Sequence, residues 1–137
     1  MKIKLPFLFI SLLSVFILSN CTTTSQMYLQ SARNTTDTTY GFTPSNPILL
    51  VNAESYGNGK IIEQYISKLY MGIAESDSSR PYIRSFTIIK RETVDSIERY
   101  QISSEKREKI YTLYFKLVKH KAKLYIPFGF MYSRLAD

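Results

Sequence analysis

The chain has 137 residues, a formal net charge of +7, one cysteine and one histidine. Its length allows one small domain, a lone cysteine excludes an intramolecular disulfide framework, and a lone histidine excludes a multi-histidine metal site. Hydrophobic residues make up 45% of the chain, so an apolar core has to hold the fold together.

The N-terminus has the pattern of an export signal. A short cationic start, residues 1–4, precedes an almost wholly apolar run over residues 5–18. These are the n-region and h-region of such a signal. The apolar run has about fourteen residues, whereas a bilayer span needs about twenty. A cleaved signal is therefore favoured over a permanent transmembrane helix.

The signal ends at Leu18-Ser19-Asn20-Cys21, which resembles the lipobox of bacterial lipoproteins. In those proteins the signal is cut before a cysteine that receives a diacylglycerol thioether. The resemblance implies a signal peptide over residues 1–20 and lipid attachment at Cys21, although Asn20 departs from the usual Gly or Ala. The alternative is a secreted protein with an unmodified cysteine near its cleavage site. Thr22, in place of Asp after the cysteine, favours the outer membrane over the inner membrane of the cell envelope by analogy with enterobacterial sorting.

The mature chain divides into a spacer and a domain. Residues 22–39 are rich in Thr, Ser, Asn and Gln and show no apolar periodicity, and such a segment cannot bury enough surface to offset the entropy of ordering it. We therefore expect the lipidated cysteine and a flexible spacer over residues 21–39, followed by a small domain over residues 40–137. Loss of Lys2 and Lys4 with the signal leaves 16 basic and 11 acidic residues, a net charge of +5.

The first half of the domain predicts one strand and one helix. The apolar run Ile48–Val51 lies between turn-forming residues, which favours a buried strand. Over residues 59–71, apolar side chains recur at spacings of three and four, as in an amphipathic helix. Asn58 is the expected N-cap of this helix and Gly72 its expected C-terminal glycine. The apolar stripe comprises Ile61, Ile62, Tyr65, Ile66, Leu69 and Tyr70.

The second half predicts four strands. Residues 82–91 and, more weakly, 94–102 have strand-like composition, and residues 111–117 and 124–128 alternate like half-buried strands. Matching the inward faces of the last two strands pairs Leu117 with Leu124 and Phe115 with Ile126 across a four-residue loop. The fold class predicted by this order is α+β, an antiparallel sheet of about four to five strands with one amphipathic helix packed on one face.

The domain also resembles a group of small uncharacterised bacterial lipoproteins of the Bacteroidetes type. The resemblance is carried by the entry Tyr40-Gly41-Phe42, the segment Asn46-Pro47-Ile48 and the ending Pro127-Phe128-Gly129-Phe130. It implies a lipid-anchored envelope domain. The chain lacks the Gly-Gly that follows the first strand in those proteins and their Cys-rich middle segment, so no role of those cysteines carries over.

No catalytic constellation is visible in the sequence. His120 lies among lysines and is expected to be an exposed turn residue. Glu92, Asp95 and Glu98 are spaced by three, but the local pattern is that of a strand or loop, so a solvated edge is favoured over acid–base work. The sequence lacks the motifs that bind phosphate or metal and the motif that surrounds a catalytic serine. We therefore expect no cofactor and a non-enzymatic binding or structural module; the alternative is a small hydrolase-like envelope enzyme with a site that sequence does not reveal.

Basic residues concentrate in the C-terminal third. From Arg99 onward there are nine Lys or Arg and three acidic residues. Because the protein is expected to be exported, nucleic acid is excluded as its partner. The expected partners are the membrane, through the lipid anchor, and an anionic lipid, an anionic glycan or an envelope protein. The alternative is a solvated face that only keeps the domain soluble. The candidate contacts for an anionic ligand are Lys116, Lys119, Lys121, Lys123, Tyr114 and Tyr125.

Overall fold

The computed structural model describes residues 28–51, 59–72, 82–83, 86–104 and 107–134. One helical turn covers residues 28–30. The elements that follow are β1 (Arg33–Asn34), β2 (Ile48–Val51), α1 (Lys60–Lys68), β3 (Leu69–Gly72), β4 (Tyr82–Ile83), β5 (Phe86–Val94), β6 (Ile97–Ser104), β7 (Arg107–Val118), β8 (Tyr125–Ile126) and β9 (Met131–Tyr132).

Four strands form the main sheet, in the order β2-β7-β6-β5. The β5–β6 and β6–β7 pairs are antiparallel, but β2 runs parallel to β7, with Ile48 opposite Phe115 and Val51 opposite Val118. The strand count and the helix agree with the expected α+β fold, and the expectation of a purely antiparallel sheet is wrong. A parallel pair needs a long crossover, and the chain between β2 and β7, which includes α1, supplies it.

The predicted hairpin between residues 111–117 and 124–128 does not form. Strand β7 pairs with β2 along one edge and with β6 along the other, so neither edge is open to β8. Strand β8 pairs instead with β1, in parallel, with Arg33 opposite Tyr125 and Asn34 opposite Ile126. The predicted partners of Leu124 and Ile126 are therefore wrong, although both side chains are buried as expected.

The inner face of the main sheet carries the core. Residues opposite one another on neighbouring strands point to the same side, and the register places Ile48, Phe115 and Glu98 in one row and Leu113 beside Tyr100 in the next. The predicted alternation of β7 is confirmed, because Leu113 and Phe115 are buried and Lys116 is exposed. The fully buried members of this face are Ile48, Leu50, Tyr100, Ile102, Leu113 and Phe115.

Helix α1 packs on this face through its apolar stripe. The ring of Tyr65 meets the ring of Phe115 edge-on, with centroids 5.8 Å apart. The Tyr65 hydroxyl crosses the core and donates a hydrogen bond of 2.7 Å to the carbonyl oxygen of Tyr125. The expectation of one amphipathic helix on one sheet face is thus confirmed.

The helix ends three residues earlier than predicted. It finishes at Lys68, and Leu69 has the extended backbone of a strand. Strand β3 pairs Leu69 with Tyr132 and Tyr70 with Met131, and Leu69 is fully buried, so it extends the core as a strand residue. Gly72 belongs to β3 and does not end the helix, and the first position before the helix is Gly59. The predicted N-cap, Asn58, lies outside the described residues.

The strands predicted over residues 82–91 and 94–102 begin and end at other residues in the structure. Residues 82–83 pair with β3 in a small sheet of order β4-β3-β9, and β5 begins at Phe86. Strands β5 and β6 form a hairpin around Asp95 and Ser96, whose φ angles are 50° and 62°. Two central residues with positive φ give the type I′ turn that matches the twist of antiparallel strands. The predicted strand over residues 94–102 is therefore interrupted at its start by this turn.

Part of the predicted spacer belongs to the folded domain. Leu29 and Ala32 are each only 1% exposed, and β1 is hydrogen-bonded beside β8. The prediction of a flexible spacer is wrong for residues 28–34. Although this stretch is mostly polar, Leu29 and Ala32 are buried in the hydrophobic core. Residues 21–27 of that predicted spacer lie outside the described residues.

Candidate functional site

Cys21, the predicted lipid-attachment residue, lies outside the described residues, and the first described residue, Tyr28, follows it by seven positions. The Tyr28 hydroxyl donates to the carbonyl oxygen of Leu49 and accepts the N–H of Val51, both at 3.3 Å. Tyr28 therefore holds the outer edge of β2 near the residue where that strand ends. Burial of the phenol raises the pKa of Tyr28, against a lowering by the Val51 hydrogen bond.

Most of the basic residues predicted to contact an anionic ligand lie at the same end of the sheet. We call residues 119–123 the lysine segment; it leaves β7 after Val118 and is irregular as far as Leu124. Lys119, Lys121 and Lys123 are all exposed, and His120 between them is exposed as predicted. In parallel pairing Val51 lies opposite Val118, so β2 and β7 finish side by side. We call this end of the main sheet, with the lysine segment beside it, the lysine end.

Lys116 is exposed on the outer face of the main sheet, two residues before β7 ends. Its neighbour across the β2–β7 pair is Leu49, not Tyr125. Within the described part of the chain, Lys116 and the three lysines of the segment form no ion pair. They are therefore available to an anionic ligand as far as the described residues show.

The structure separates the two tyrosines that were expected to accompany these lysines. Tyr114 is half-buried in β7, opposite Arg99 of β6, and its backbone N–H donates to the carbonyl oxygen of Gly41 at 2.8 Å. Tyr125 packs against the core, with its ring edge-on to that of Tyr40 at 5.7 Å. Pairing Leu117 with Leu124 and Phe115 with Ile126, as predicted from the sequence, would have placed Lys116 beside Tyr125; this arrangement is wrong, because that hairpin does not form.

Two acidic residues of the β5–β6 hairpin, Glu92 and Glu98, have basic partners. Glu92 contacts Lys90 and accepts a 2.9 Å hydrogen bond from Arg99, its neighbour across the hairpin. The hydrogen bond from Lys90 is the main reason that the pKa of Glu92 is lowered. Glu98 accepts a hydrogen bond of 2.9 Å from Thr93, and its carboxylate lies 3.7 Å from Nε of Arg91. These carboxylates thus neutralise the hairpin's own cations, and over the described ranges no three His, Cys, Asp or Glu side chains gather as a metal site would require.

Arg91 occupies a position that the sequence did not predict. A β-bulge between Ile88 and Lys90 shifts the register by one, which leaves Ile89 52% exposed and places Arg91 opposite Tyr100 on the inner face. The guanidinium lies 5.6 Å from the centre of the Tyr100 ring, within the range of a cation–π contact. An alternation pattern read from sequence cannot reveal a bulge, because one inserted residue reverses the facing of every later position.

Phe128 marks the opposite end of the domain. Phe130 donates its N–H to the carbonyl oxygen of Pro127 at 3.1 Å, which closes a four-residue turn with Gly129 at a φ of 86°. Phe128 is 54% exposed at the tip of this turn, whereas the alternation predicted over residues 124–128 would place it on the same inward face as Leu124 and Ile126. The Phe130 ring lies 5.3 Å from that of Tyr111, near the start of β7. Because β7 rises about 3.3 Å per residue, Tyr111 and Val118 are roughly 23 Å apart along the strand.

A comparison of the chain with protein-family models, curated proteins and solved structures finds no match. None of the helices in the described ranges has the length and apolar character that crossing a membrane requires.

Proposed function

We propose that this protein is an envelope lipoprotein, anchored to a membrane by acyl chains on Cys21, whose domain acts as a binding or structural module. The proposal is carried by the tetrapeptide that ends in Cys21 after a cationic start and a fourteen-residue apolar run. The resemblance of the entry and ending segments to small bacterial lipoproteins supports it. The outer membrane is the proposed location.

The proposed binding surface is the lysine segment together with Lys116. Four exposed ammonium groups form no ion pair within the described part of the chain. Like charges at close spacing repel one another, so folding alone gives no benefit from placing them together. A basic residue near an anionic surface contributes about 1 kcal/mol to binding, which supports an anionic ligand of the envelope.

The anchor is tested by expressing wild-type protein and Cys21→Ala in a bacterium that processes lipoproteins. Wild type is expected to begin at Cys21, to carry the mass of its acyl groups and to enter the detergent phase on partitioning. One acyl chain gives only marginal membrane binding, whereas two or three anchor stably. The Cys21→Ala protein is expected to lack the added mass. An unmodified Cys21 in the mature wild-type protein would refute the proposal.

A further inference from the structure

We infer that the lysine end of the main sheet faces the membrane and that its lysines contact anionic phospholipid headgroups. This inference rests on the proposed lipid anchor and adds to it an orientation and a ligand. It follows from where the N-terminal segment enters the domain, from how far Cys21 is from that point, and from which charges remain unpaired there.

The N-terminal segment enters the domain at the lysine end. Tyr28, the first described residue, binds the backbone of Leu49 and Val51, where β2 finishes. An independent observation agrees. Strand β8 leads from the lysine segment toward Pro127 and the opposite end, and β1 runs parallel to it. The chain before β1 therefore comes from the same end as the lysine segment.

The distance between Cys21 and Tyr28 is limited by the chain. Seven residue steps span at most about 25 Å when fully extended, whereas the eighteen-residue spacer expected from the sequence could extend to about 60 Å. A connection of at most about 25 Å is comparable in length with the part of β7 between Tyr111 and Val118, roughly 23 Å. The end that carries the connection, which is the lysine end, is kept nearest to the bilayer.

The charges at this end suit an anionic surface. The three lysines of the segment are exposed, and the carboxylates of Glu92 and Glu98 are engaged within the β5–β6 hairpin. The turn residue Asp95 lies at the same end and is exposed, so it reduces the positive charge without cancelling it. Cationic residues held close to a leaflet that contains anionic lipid are attracted within about one Debye length. An anionic glycan would satisfy the same lysines, but the short connection places them at the lipid surface.

The orientation can be measured with single tryptophans, because the chain contains none. His120→Trp puts a reporter within the lysine segment, and Phe128→Trp puts a matched reporter on an exposed turn at the opposite end. The full acylated protein is reconstituted into phosphatidylethanolamine–phosphatidylglycerol vesicles that carry a dansyl group on some headgroups. Energy transfer to dansyl is expected to be stronger from position 120 than from position 128.

The lysine contribution is tested by reversing Lys119, Lys121 and Lys123 to Glu in the His120→Trp protein. Transfer from position 120 is expected to fall, and 1 M salt, at which the Debye length is about 3 Å, is expected to reduce it in the parent. Lys109→Glu, a charge reversal at an exposed residue near the other end of β7, serves as the control and is expected to leave transfer from position 120 unchanged.

The outcomes separate this inference from the anchor proposal. Equal or stronger transfer from position 128 in acylated protein overturns the orientation and leaves the anchor intact. If energy transfer from position 120 is the same with and without the lysine reversals, the headgroup contact is overturned. Loss of the lysine effect when dextran sulfate competes, with no difference between anionic and phosphatidylcholine vesicles, assigns the lysines to a glycan and overturns the lipid ligand. An unmodified Cys21 in mature wild-type protein, together with transfer from position 120 only in anionic vesicles, refutes the anchor and retains the surface.

Discussion

A single glycine fixes how the chain enters the main sheet. Gly41 has a φ of 80°, and its carbonyl oxygen accepts the N–H of Tyr114 in β7. A Cβ at this position would lie 2.8 Å from Cγ1 of Ile48 and 3.2 Å from Cγ of Pro127. Only glycine therefore satisfies both the backbone conformation and the close approach to the core.

Gly41→Ala is expected to destabilise the domain by about 2–5 kcal/mol. Positive φ costs a residue with a side chain about 1–2 kcal/mol, and overpacking a filled core adds about 1–3 kcal/mol. Gly129→Ala is the matched control, because Gly129 has a φ of 86° but no atom within 4 Å of a Cβ. It should show the backbone cost alone. Urea unfolding followed by circular dichroism measures both, and equal losses in the two variants would show that the contact with Ile48 has no energetic effect.

At the scale of the elements, the segment before β1 decides where the domain begins. Leu29 is 1% exposed, Ala32 is equally buried, and the guanidinium of Arg134 donates to the carbonyl oxygen of Ala32 at 3.0 Å. Composition alone places this segment in a spacer. Its contacts show that it belongs to the folded domain, so fewer residues connect the domain to Cys21 than the sequence predicts.

Leu29→Ala is expected to cost about 2–5 kcal/mol of unfolding free energy, the usual range for truncating a buried leucine. Asn34→Ala, at an exposed position of β1 whose side chain forms no hydrogen bond with the described residues, is the control and should change stability by less than about 0.5 kcal/mol. Thermal and urea unfolding measure the difference. If Leu29→Ala is as stable as wild type, residues 28–34 do not belong to the cooperative unit.

The whole molecule is held by a core rich in tyrosine. Tyr40, Tyr65, Tyr100 and Tyr132 are buried, and the Tyr65 ring contacts the rings of both Phe115 and Tyr132. Burial raises the pKa of Tyr40 to about 12 and also raises the pKa of Tyr65 well above its usual value. These phenols stay protonated in the folded state at pH values at which an exposed tyrosine ionises.

Stability is therefore expected to fall in alkali. Below pH 10 the folded and unfolded states bind the same number of phenolic protons, and the contribution of Tyr40 is fully present. As the pH rises from 10 through about 12, the unfolded chain loses this proton before the folded protein does, so the free energy of unfolding decreases. Urea midpoints at pH 9, 10, 11 and 12 measure it. Tyr40→Phe is expected to show a shallower decline, and an identical slope in the variant would contradict the assignment to Tyr40.

Several elements were predictable from sequence because their signals are local. The alternation along β7 and the stripe of α1 each depend on a period set by backbone geometry, 2 for strands and 3.6 for helices. The strand Ile48–Val51 is marked by a short unbroken apolar run between turn-forming residues. The exposed lysines of residues 119–123 were also predictable, since several closely spaced ammonium groups cannot be buried without partners. The motif at Cys21 is likewise readable from sequence alone.

Tertiary structure decided which strands are neighbours and where each element ends. The alternation in β7 is compatible with pairing to β8 or to β2, and the choice depends on which edges remain open once the β5–β6–β7 antiparallel strands form. Leu69 and Tyr70 suit a helix stripe or a strand equally, and pairing with β9 selects the strand. In the sequence, Leu29 is a single leucine in a polar stretch, and only the folded core provides the apolar surface that buries it. For the same reason only the fold brings Tyr28 and the lysine segment to one end of the sheet, because their proximity arises from contacts between residues distant in the chain.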